Sequence, residues 1–280
     1  MILAWVHDLK PYLFKIGNFE VRYYGLMYVI GFIFFYLWMK RVIRRGELKM
    51  TEKQLDSLFT GGILSVLIGG RLGYVLFYNL SWYIKHPLEI FMTWHGGMSF
   101  HGGAIAVILF VIWFSRKQGI DFWELIGECA TIVPLGLFLG RLGNFINGEL
   151  WGRPTNVPWA VIFPAAGNVP RHPSQLYEAL MEGLFLFLFL LWLRKKGASG
   201  YVKFAAGLIF YGVGRFIVEF FREPDEQLGF IFFNWLTMGQ LLCLVMIVGG
   251  ITVLLVKKNP QTINNVSIES PPKKRHSIKK

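Results

Sequence analysis

The sequence predicts an all-α polytopic membrane protein with seven transmembrane helices and an irregular cap on the outer side of the membrane. Hydrophobic residues make up 54% of the 280 positions and charged residues only 16%, against roughly 25% charged residues in a soluble domain. Apolar runs of about 20 residues, enough for a helix to cross a bilayer, recur along the chain. A very apolar soluble protein would not need so many runs of that length.

The predicted spans are separated by polar connections, and they cover about residues 21–40, 56–78, 97–115, 122–142, 175–193, 203–221 and 236–256. The longest outer connection, 143–174, is rich in Gly, Pro and Asn, which favours an irregular cap over a long helix. Residues 1–256 are therefore predicted to form one seven-helix transmembrane domain. The remainder, 257–280, is polar, basic and contains prolines, which is typical of a disordered tail.

Most of the 29 lysines and arginines lie in connections on one predicted side of the membrane. These residues follow the first, third, fifth and seventh spans: Lys40, Arg41, Arg44, Arg45, Lys49, Lys53, Arg116, Lys117, Arg194, Lys195, Lys196, Lys203 and the basic residues from Lys257 to Lys280. Because cytoplasmic connections carry the excess of basic residues, this bias predicts an outside N-terminus and a cytoplasmic C-terminus. The same bias accounts for the net charge of +12 without a nucleic acid partner. The basic residues of the tail are expected to be attracted to the anionic inner leaflet.

The two cysteines, Cys129 and Cys243, each lie inside an apolar run, which indicates small buried residues rather than a disulfide or a nucleophile. The chain has no cysteine and histidine spacing typical of a metal site, so we expect neither a metal nor another cofactor. The N-terminus lacks the basic region and the small-residue cleavage site of a signal peptide. Polar residues at the ends of the spans are then the candidates for chemistry.

Each of three predicted spans carries an arginine in its outer half, directly after a glycine: Arg71, Arg141 and Arg215. An arginine at the bilayer centre costs about 2.5–3.5 kcal/mol, so such residues need partners. Glu219 lies four residues after Arg215 and can pair with it on one helix face, and Glu149 and Glu178 are further possible partners. Two interpretations stay open: ion pairing between helices, or a clamp in which the arginine forks hold a phosphate group.

A glycine-rich segment with two histidines opens the third predicted span. His101 lies nearer the span than His95, and the ordinary pKa of histidine suits proton transfer near neutral pH, so His101 is the stronger candidate for a general base. A structural role for this histidine is the alternative. Gly102 and Gly103 expose backbone N–H groups, which can hold an anion at a helix start.

Two further residues stand where spans open. Tyr24, at the first span, fits either an interfacial anchor or a hydrogen bond to a lipid headgroup. His172 is a second candidate for proton transfer near the fifth span, but Pro173 and Ser174 beside it fit a plain helix start equally well.

Residues 140–152 read Gly-Arg-Leu-Gly-Asn-Phe-Ile-Asn-Gly-Glu-Leu-Trp-Gly. Polar groups at the end of an apolar span are expensive, so this run needs a functional reason. It meets every fixed position of the signature Gly-Arg-x-Gly-Asn-Phe-x-Asn-x-Glu-x-x-Gly of the prolipoprotein diacylglyceryl transferases of bacterial plasma membranes, a family that the chain resembles. Further motifs of that family occur at 24–28, 69–71, 98–103, 171–178 and 215–225, so the resemblance spans nearly the whole chain except the tail.

The resemblance implies a transferase that moves the diacylglyceryl group of phosphatidylglycerol to the lipobox cysteine thiol of a preprolipoprotein. The products would be a thioether-linked precursor and glycerol 1-phosphate, in the first step of bacterial lipoprotein maturation. The resemblance also implies a multi-pass protein of the bacterial plasma (inner) membrane with seven spans and an outside N-terminus. Its partners are then phosphatidylglycerol, the signal peptide of preprolipoproteins and the lipid bilayer.

The family's functional positions fall on Tyr24, His101, Arg141, Asn144, Glu149, Gly152, Arg215 and Glu219. We take His101, Arg141, Arg215, Tyr24 and Glu149 as catalytic candidates, and Arg141, Asn144, Arg71, Gly152, Glu219, Gly102 and Gly103 as substrate-binding candidates. In the expected mechanism a thiolate attacks the lipid's glycerol carbon, and Arg141 and Arg215 neutralise charge on the leaving phosphate. Asn144 holds the headgroup, Glu219 orients an arginine, and Glu149 either does the same or acts as the base.

Two other functions are compatible with polar residues in a membrane. A transporter for an anionic solute would place its site near the midplane between repeated halves, whereas here the polar motifs gather near the outer surface. An intramembrane serine protease would need a reactive serine, but the glycine-flanked candidate at 197–200 follows basic residues in a cytoplasmic connection and is typical of a flexible linker. The residues therefore favour lipid transfer.

Overall fold

The structure is a computed structural model of the chain, and it describes residues 4–17, 19–92, 96–224, 230–232 and 236–258. Three features predicted above lie outside this description: the side chain of His101, the residue His95 and the tail beyond 258. The described chain is mostly helical and contains several helices apolar enough for a membrane, as predicted. It is a multi-pass helical membrane protein.

The described helices follow the order of the predicted spans. They are α1 (Tyr23–Arg44), α2 (Glu52–Tyr78), α3 (Leu80–Lys85), α4 (Phe100–Gln118), α5 (Phe122–Asn147), α6 (Ser174–Glu178), α7 (Leu186–Lys195), α8 (Gly200–Val218) and α9 (Met238–Lys258). A π-helical stretch, Ala179–Phe185, joins α6 to α7, so Ser174–Lys195 forms one continuous segment. Among the described residues, six segments are long and apolar enough to cross a membrane: α1, α2, α5, the joined α6 and α7, α8 and α9.

Several boundaries differ from the prediction. The third predicted span corresponds to α4, a helix of 19 residues that is not one of those six segments. The fourth continues past 142 to Asn147, because the polar Asn-rich motif stays helical until Gly148 adopts a left-handed conformation and ends α5. The seventh continues to Lys258, since basic side chains are favourable in the last turn of a helix.

Short strands occur where the sequence analysis expected none, so the all-α description is incomplete. They are β1 (Trp5–Val6), β2 (Tyr12–Ile16), β3 (Phe19–Arg22), β4 (Val161–Ile162), β5 (Pro170–Arg171), β6 (Phe230–Phe232) and β7 (Leu236–Thr237). β2 and β3 form an antiparallel hairpin that turns at Gly17, whose positive φ of 58° suits glycine. β4 pairs with β1 in parallel and with β5 in antiparallel fashion, which gives the connection after α5 partial order.

A buried apolar core lies at the end of the bundle that carries the α1–α2 loop, and we call this the core end. Its residues come from that loop and from α1, α2, α4 and α5, with one from the α4–α5 turn: Met39, Val42, Leu48, Met50, Leu55, Leu58, Val111, Phe114, Ile120, Leu125, Ile126 and Cys129. Cys129 and Cys243 are both buried and not in a disulfide, in agreement with the prediction. The core joins four helices at this end.

A buried ion network lies at the core end. Glu128 of α5 lies 2.5 Å from the Nζ atom of Lys203 and 3.1 Å from the Nε atom of Arg194, and it accepts a hydrogen bond from Trp38 at 3.2 Å. Arg194 also pairs with Glu47 of the α1–α2 loop. Lys203 is therefore not one of the solvated basic residues of a connection, because its side chain is buried in α8. The network links α1, α5, α7 and α8.

At the opposite end, which we call the site end, α5 and α8 terminate and α6 begins. The connection 148–173 crosses this end, and within it Gly152 forms an isolated bridge with Arg222, just beyond α8. The Nε2 atom of His7, next to β1, lies 2.7 Å from the carbonyl oxygen of Phe145 in α5. The N-terminal segment, the connection and the ends of two helices are thus held together in one layer.

Candidate active site

Five charged side chains meet inside the bundle at the site end. They are Arg141 of α5, Glu178 of α6, Glu182 of the π-helical stretch, Arg215 of α8 and Glu219, the residue after α8. We call them the arginine–glutamate cluster. The three glutamates are buried, with 0% exposure for the first two and 4% for the third. Because buried charges persist only when they are paired, the contacts inside the cluster decide what it can bind.

Glu178 bridges the two arginines. Its Oε2 atom lies 2.7 Å from the Nε atom of Arg141, and its Oε1 atom lies 2.9 Å from the Nη1 atom of Arg215. These short distances are those of close ion pairs, which are strong in a buried site of low dielectric. One carboxylate from α6 therefore sets the spacing between guanidinium groups that come from α5 and α8.

Glu219 orients Arg215, as the spacing of four residues predicts. Its Oε2 atom lies 2.6 Å from the Nη2 atom of the arginine. Its other oxygen accepts a hydrogen bond of 3.0 Å from the hydroxyl of Thr237, which also caps α9 together with Gln240. Thr237, at the start of α9, thus positions the carboxylate of Glu219, which in turn pairs with Arg215.

Glu182 makes the longest contacts of the cluster. Its Oε1 atom is 3.5 Å from the Nη1 atom of Arg215, and its Oε2 atom is 3.6 Å from the Nη2 atom of Arg141. The π-helical stretch brings it close because Gly183 lies against Phe138 of α5, where an added Cβ atom would be 2.6 Å from the backbone. π-Helical turns inside α-helices are frequent at functional sites.

These contacts bear on the two interpretations of the arginines. Both Arg141 and Arg215 are ion-paired between helices, so neither is an isolated charge in the membrane. The Arg141 side chain nevertheless keeps 21% exposure, against 9% for Arg215, and this exposed part is where an anion can reach the cluster. A guanidinium that is already held on its buried side can bind phosphate without reorganisation.

An open cavity of about 630 Å³ lies at the site end, and its lining includes Asn144, one helical turn beyond Arg141. The residues around it come from β3, α1, and the end of α5 with the residues after it: Glu20, Arg22, Tyr24, Gly25, Asn144, Asn147, Glu149 and Leu150. The volume lies within the usual range of ligand pockets. The lining offers amide donors, a phenol and carboxylates, which suit a small polar group.

Glu149 is held at this cavity by asparagine side chains rather than by an arginine. Its Oε1 atom accepts hydrogen bonds from the Nδ2 atoms of Asn144 at 2.8 Å and Asn147 at 3.1 Å. Both asparagines belong to the motif that resembles the family signature. No contact described for Glu149 supports the prediction that it orients an arginine. The asparagines instead fix its carboxylate in the cavity wall.

The backbone that presents Glu149 is strained. Gly148 has a φ of 65°, and Leu150 has a φ of 56°, a conformation that costs a non-glycine residue about 1–2 kcal/mol. The Nε2 atom of Gln175 donates to the carbonyl oxygen of Glu149 at 2.6 Å, and the Ser174 hydroxyl donates to that of Leu150 at 3.1 Å. Strain that the surroundings enforce is common at functional sites.

Gly152, a predicted binding residue, lies where three segments converge. A Cβ atom there would lie 2.5 Å from the carbonyl oxygens of both His172 and Phe221, so only glycine fits. Its own N–H donates to the first of these carbonyls at 2.9 Å. The structure thus gives Gly152 a packing role beneath the cavity wall.

Arg71 is engaged in a different way from the other two arginines. Its guanidinium donates to five backbone carbonyl oxygens of the segment after α3, namely those of Glu89, Ile90, Met92, Gly96 and Gly97, at 2.5–3.3 Å. It also lies over the ring of Tyr83, 5.1 Å from the centroid. Since a guanidinium has five N–H donors, these carbonyls occupy all of them. The contacts of Arg71 fit a structural anchor, whereas the prediction was a phosphate ligand.

The start of α4, which carries His101, is anchored next to Arg71. The N–H of Ser99 donates to the carbonyl oxygen of Gly70 at 2.8 Å, and the Ser99 hydroxyl accepts from the N–H of Gly102 as a helix cap. A Cβ atom on Gly102 would lie 2.3 Å from the carbonyl oxygen of Gly69, whereas one on Gly103 would meet α2 only at 3.4 Å. The first glycine therefore permits close packing of α2 and α4.

Two further residues that the sequence analysis singled out, Tyr24 and His172, have side-chain partners at the site end. The hydroxyl of Tyr24 is 3.0 Å from that of Tyr28, and its ring packs on Gly143 of α5. His172, outside the membrane-spanning segments, lies with its Nδ1 atom 3.1 Å from the hydroxyl of Tyr177, and burial lowers its pKa. Tyr24 lines the cavity, while His172 belongs to the packed layer beside Phe221.

Sequence reasoning missed four residues that shape the site. Glu182 could have been noticed, because an acidic residue inside an apolar span is itself a sign of function. The Thr237 and Gln240 pair has the spacing of a helix capping box, which predicts the start of α9 but not the link to Glu219. Gln175 lies in the motif at 171–178, but that motif does not report its contact with a distant backbone carbonyl. Within the described ranges, no three His, Cys, Asp or Glu side chains are grouped so that they could hold a metal ion.

Comparison with known proteins agrees with the resemblance. A family model described as prolipoprotein diacylglyceryl transferase matches residues 11–256. A phosphatidylglycerol–prolipoprotein diacylglyceryl transferase of Geobacter sulfurreducens is 49% identical over 248 residues, which cover 89% of this chain and 95% of the relative. Relatives of the same name from Methylococcus capsulatus and Pasteurella multocida are 48% and 49% identical, over 88% and 89% of this chain and 94% and 92% of their own lengths. The chain therefore belongs to the prolipoprotein diacylglyceryl transferase family.

Proposed function

We propose that this chain transfers the diacylglyceryl group of phosphatidylglycerol to the lipobox cysteine thiol of a preprolipoprotein. Family membership supports the reaction. The relatives are named for this activity, and the match covers nearly their whole length. The observation in the structure that carries the proposal is the partly exposed Arg141, held by buried carboxylates next to an open polar cavity.

In the proposed reaction the cysteine thiolate attacks the glycerol carbon of the diacylglyceryl group. A carbon–sulfur bond forms, the bond between that carbon and the phosphate oxygen breaks, and glycerol 1-phosphate leaves with the electron pair. The phosphate changes from a singly charged diester to a more highly charged monoester. Arg141 and Arg215 would stabilise that developing charge, because their forks are already oriented by Glu178 and Glu219.

The cavity suits the glycerol headgroup of the lipid. The phosphate would lie at the exposed part of Arg141, and the headgroup hydroxyls would reach Asn144, Glu149 and Tyr24, which line the cavity. The amide of Asn144 and the phenol of Tyr24 can donate and accept hydrogen bonds, and the Glu149 carboxylate accepts them, as vicinal hydroxyls require. The acyl chains would remain in the bilayer.

Two residues can accept the thiol proton. We propose His101, in the first turn of α4, as the base, and Glu149 as the alternative because its carboxylate is fixed in the cavity wall. A glutamine at either position preserves much of the shape and removes the basic group. If one variant, His101→Gln or Glu149→Gln, loses transfer while the other keeps it, the base is identified.

The topology follows from the same proposal. We propose seven spans, with α4 as the third, an outside N-terminus and a cytoplasmic C-terminus in the bacterial plasma (inner) membrane. The core end, with its basic flanks at Arg44 and Lys195, would face the cytoplasm, and the site end would form the outer cap. The basic tail beyond 258 would face the anionic inner leaflet.

The experiment that tests the function uses the purified full chain in lipid nanodiscs with phosphatidylglycerol and a lipobox peptide. We expect a mass increase of one diacylglyceryl group on the peptide and an equal amount of glycerol 1-phosphate. A peptide with serine in place of the cysteine is the matched control and should stay unmodified. Absence of the mass shift with folded protein and the cysteine peptide would contradict the proposed function.

A further inference from the structure

Glu182 is the feature of the cluster that the proposed mechanism leaves without a role. Its carboxylate is fully buried, yet its two oxygens lie 3.5 and 3.6 Å from the nearest arginine nitrogens. Glu178 and Glu219 approach the same arginines at 2.6–2.9 Å. Glu178 and Glu219 thus form the closest ion pairs of the two guanidinium groups. Glu182 adds its charge from a longer distance and accepts one weak hydrogen bond of 3.5 Å from Arg215.

The position of this charge is fixed by the fold. The π-helical stretch and the close contact of Gly183 with Phe138 place the Glu182 carboxylate between the guanidinium groups of α5 and α8. It bridges the same two arginines that would meet the phosphate of the lipid. In a buried site of low dielectric, a charge at this distance acts strongly on any further anion.

The cluster has two arginines and three glutamates, and the neighbouring Arg222 balances their formal charges before any ligand arrives. Arg141, Arg215 and the neighbouring Arg222, whose Nε atom is 3.8 Å from Glu178, face the three glutamates of the cluster. The substrate, a phosphodiester, adds a single negative charge. The product, a phosphomonoester, carries about 1.5–2 negative charges near pH 7. The reaction therefore leaves the site with more negative charge than it had with substrate.

We propose that Glu182 weakens the hold of the two arginines on the phosphomonoester product more than on the phosphodiester substrate, and thereby drives product release. This inference rests on the proposed function. Glu178 cannot serve in the same way, because its loss would also release both arginines from their positions. Glu182 is suited to the role because its charge repels an anion while its contacts with the arginines are the longest in the cluster.

The test compares two inhibitors of the transfer reaction that differ in charge. Glycerol 1-phosphate represents the product, and its methyl diester represents a headgroup with a single charge. In the variant Glu182→Gln, which keeps the shape of the side chain, we expect glycerol 1-phosphate to inhibit about tenfold more strongly, and the methyl diester to change by less than about threefold. We also expect kcat and the KM for phosphatidylglycerol to fall together, because product release becomes slower.

Matched variants separate this effect from a structural one. Glu182→Asp keeps the charge and should behave like the original chain in the ratio of the two inhibition constants. Glu52→Gln removes an exposed carboxylate at the start of α2, at the core end of the bundle. This variant should leave both inhibition constants unchanged. Glu178→Gln should raise the KM for the lipid, because the arginines lose their shared support.

The result that would overturn the inference is an equal change for both inhibitors in Glu182→Gln, or no change for either. If that variant does not fold, the unmodified chain still decides, because glycerol 1-phosphate binding far more tightly than the methyl diester would contradict repulsion by a buried carboxylate. Thioether formation by the unmodified chain is measured separately. If no thioether forms, the proposed function itself is contradicted. If the thioether forms but Glu182→Gln changes both inhibition constants equally, only the role of Glu182 is contradicted.

Discussion

The tetrapeptide Gly-Arg-Leu-Gly occurs twice in this chain, at 70–73 and 140–143, and the two copies have different surroundings. Arg71 is enclosed by five backbone carbonyl oxygens, whereas Arg141 is held by the carboxylates of Glu178 and Glu182 and keeps an exposed part. A guanidinium whose donors all point at carbonyls has no capacity left for a ligand. The same four residues thus give a loop anchor in one helix and a partly exposed, ion-paired arginine in another.

The difference also extends to the glycines that flank the two arginines. Around Arg71, Gly69 and Gly73 allow α2 to approach Gly102 of α4 so closely that backbone atoms touch. Around Arg141, Gly140 has open space, and Gly143 packs on the ring of Tyr24. One copy of the motif packs two helices closely, and the other contacts Tyr24, a residue of the cavity lining.

The largest effect is expected for Arg141→Lys. Lysine keeps the charge but lacks the planar fork, so it cannot bind Glu178 and a phosphate at the same time. We expect the kcat/KM for phosphatidylglycerol to fall by about 100- to 1000-fold, as for other preorganised donors, with little change in thermal stability. The measurement is the rate of diacylglyceryl transfer to a lipobox peptide. An unchanged kcat/KM in this variant would contradict the proposal that Arg141 binds the phosphate.

Arg71→Lys tests the structural half. A lysine has three N–H donors, so at least two of the five carbonyls would lose a hydrogen bond to a charged group, which should lower the free energy of unfolding by about 3 kcal/mol. We expect faster hydrogen exchange in segment 86–97, while the folded fraction keeps its KM for the lipid. Exchange that stays at the original rate together with a raised KM would show that Arg71 is a phosphate ligand after all.

The packing around Arg71 can be separated from its hydrogen bonds with two neighbouring glycines. In Gly102→Ala the new Cβ atom would meet the backbone of α2 at 2.3 Å, and we expect a loss of about 1–3 kcal/mol of stability. Gly103→Ala is the matched control, because its Cβ atom would find ordinary contacts at 3.4 Å. Thermal unfolding in detergent measures both, and equal melting temperatures would contradict the close approach of the two helices.

A smaller effect is expected next to Arg141, where Gln175 supports the strained backbone of Glu149. Replacement by leucine leaves the buried carbonyl oxygen of Glu149 without its donor, at a cost of about 1–2 kcal/mol. We expect kcat to fall more than the KM for the lipid changes, because the Glu149 carboxylate moves relative to the cavity. Gln175→Asn, which retains a shorter amide, should recover part of kcat. If stability falls and kcat does not, Gln175 supports only the fold.

The sequence predicted the helices well and their contacts poorly. Apolar runs located each long helix of the described ranges, because a run of such length has few alternatives in a membrane. The ends of α5 and α9 were misplaced because polar residues can continue a helix once its apolar part is fixed. The hairpin of β2 and β3 was missed, since short strands depend on a partner strand for their hydrogen bonds.

Within the site, local spacing was enough for one contact only. The pair of Arg215 and Glu219 could be predicted, because residues four apart lie on one face of a helix. The contacts of Arg141 with Glu178 and Glu182 could not, since they join helices that are far apart in the chain. The roles of Gly152 and Gln175 depend on backbone atoms of other segments, and no residue pattern reports such distances.

The sequence by itself determined the membrane-spanning character of the chain, the positions of its long helices and its motif-level likeness to the family. These properties depend on composition and on the order of residues, which are read without coordinates. Only the tertiary structure decided which Gly-Arg-Leu-Gly arginine is enclosed by backbone carbonyls and which one is ion-paired and partly exposed. The physical reason is that the capacity of a guanidinium for an anion depends on the acceptors within about 3 Å of it, and those acceptors come from distant parts of the chain.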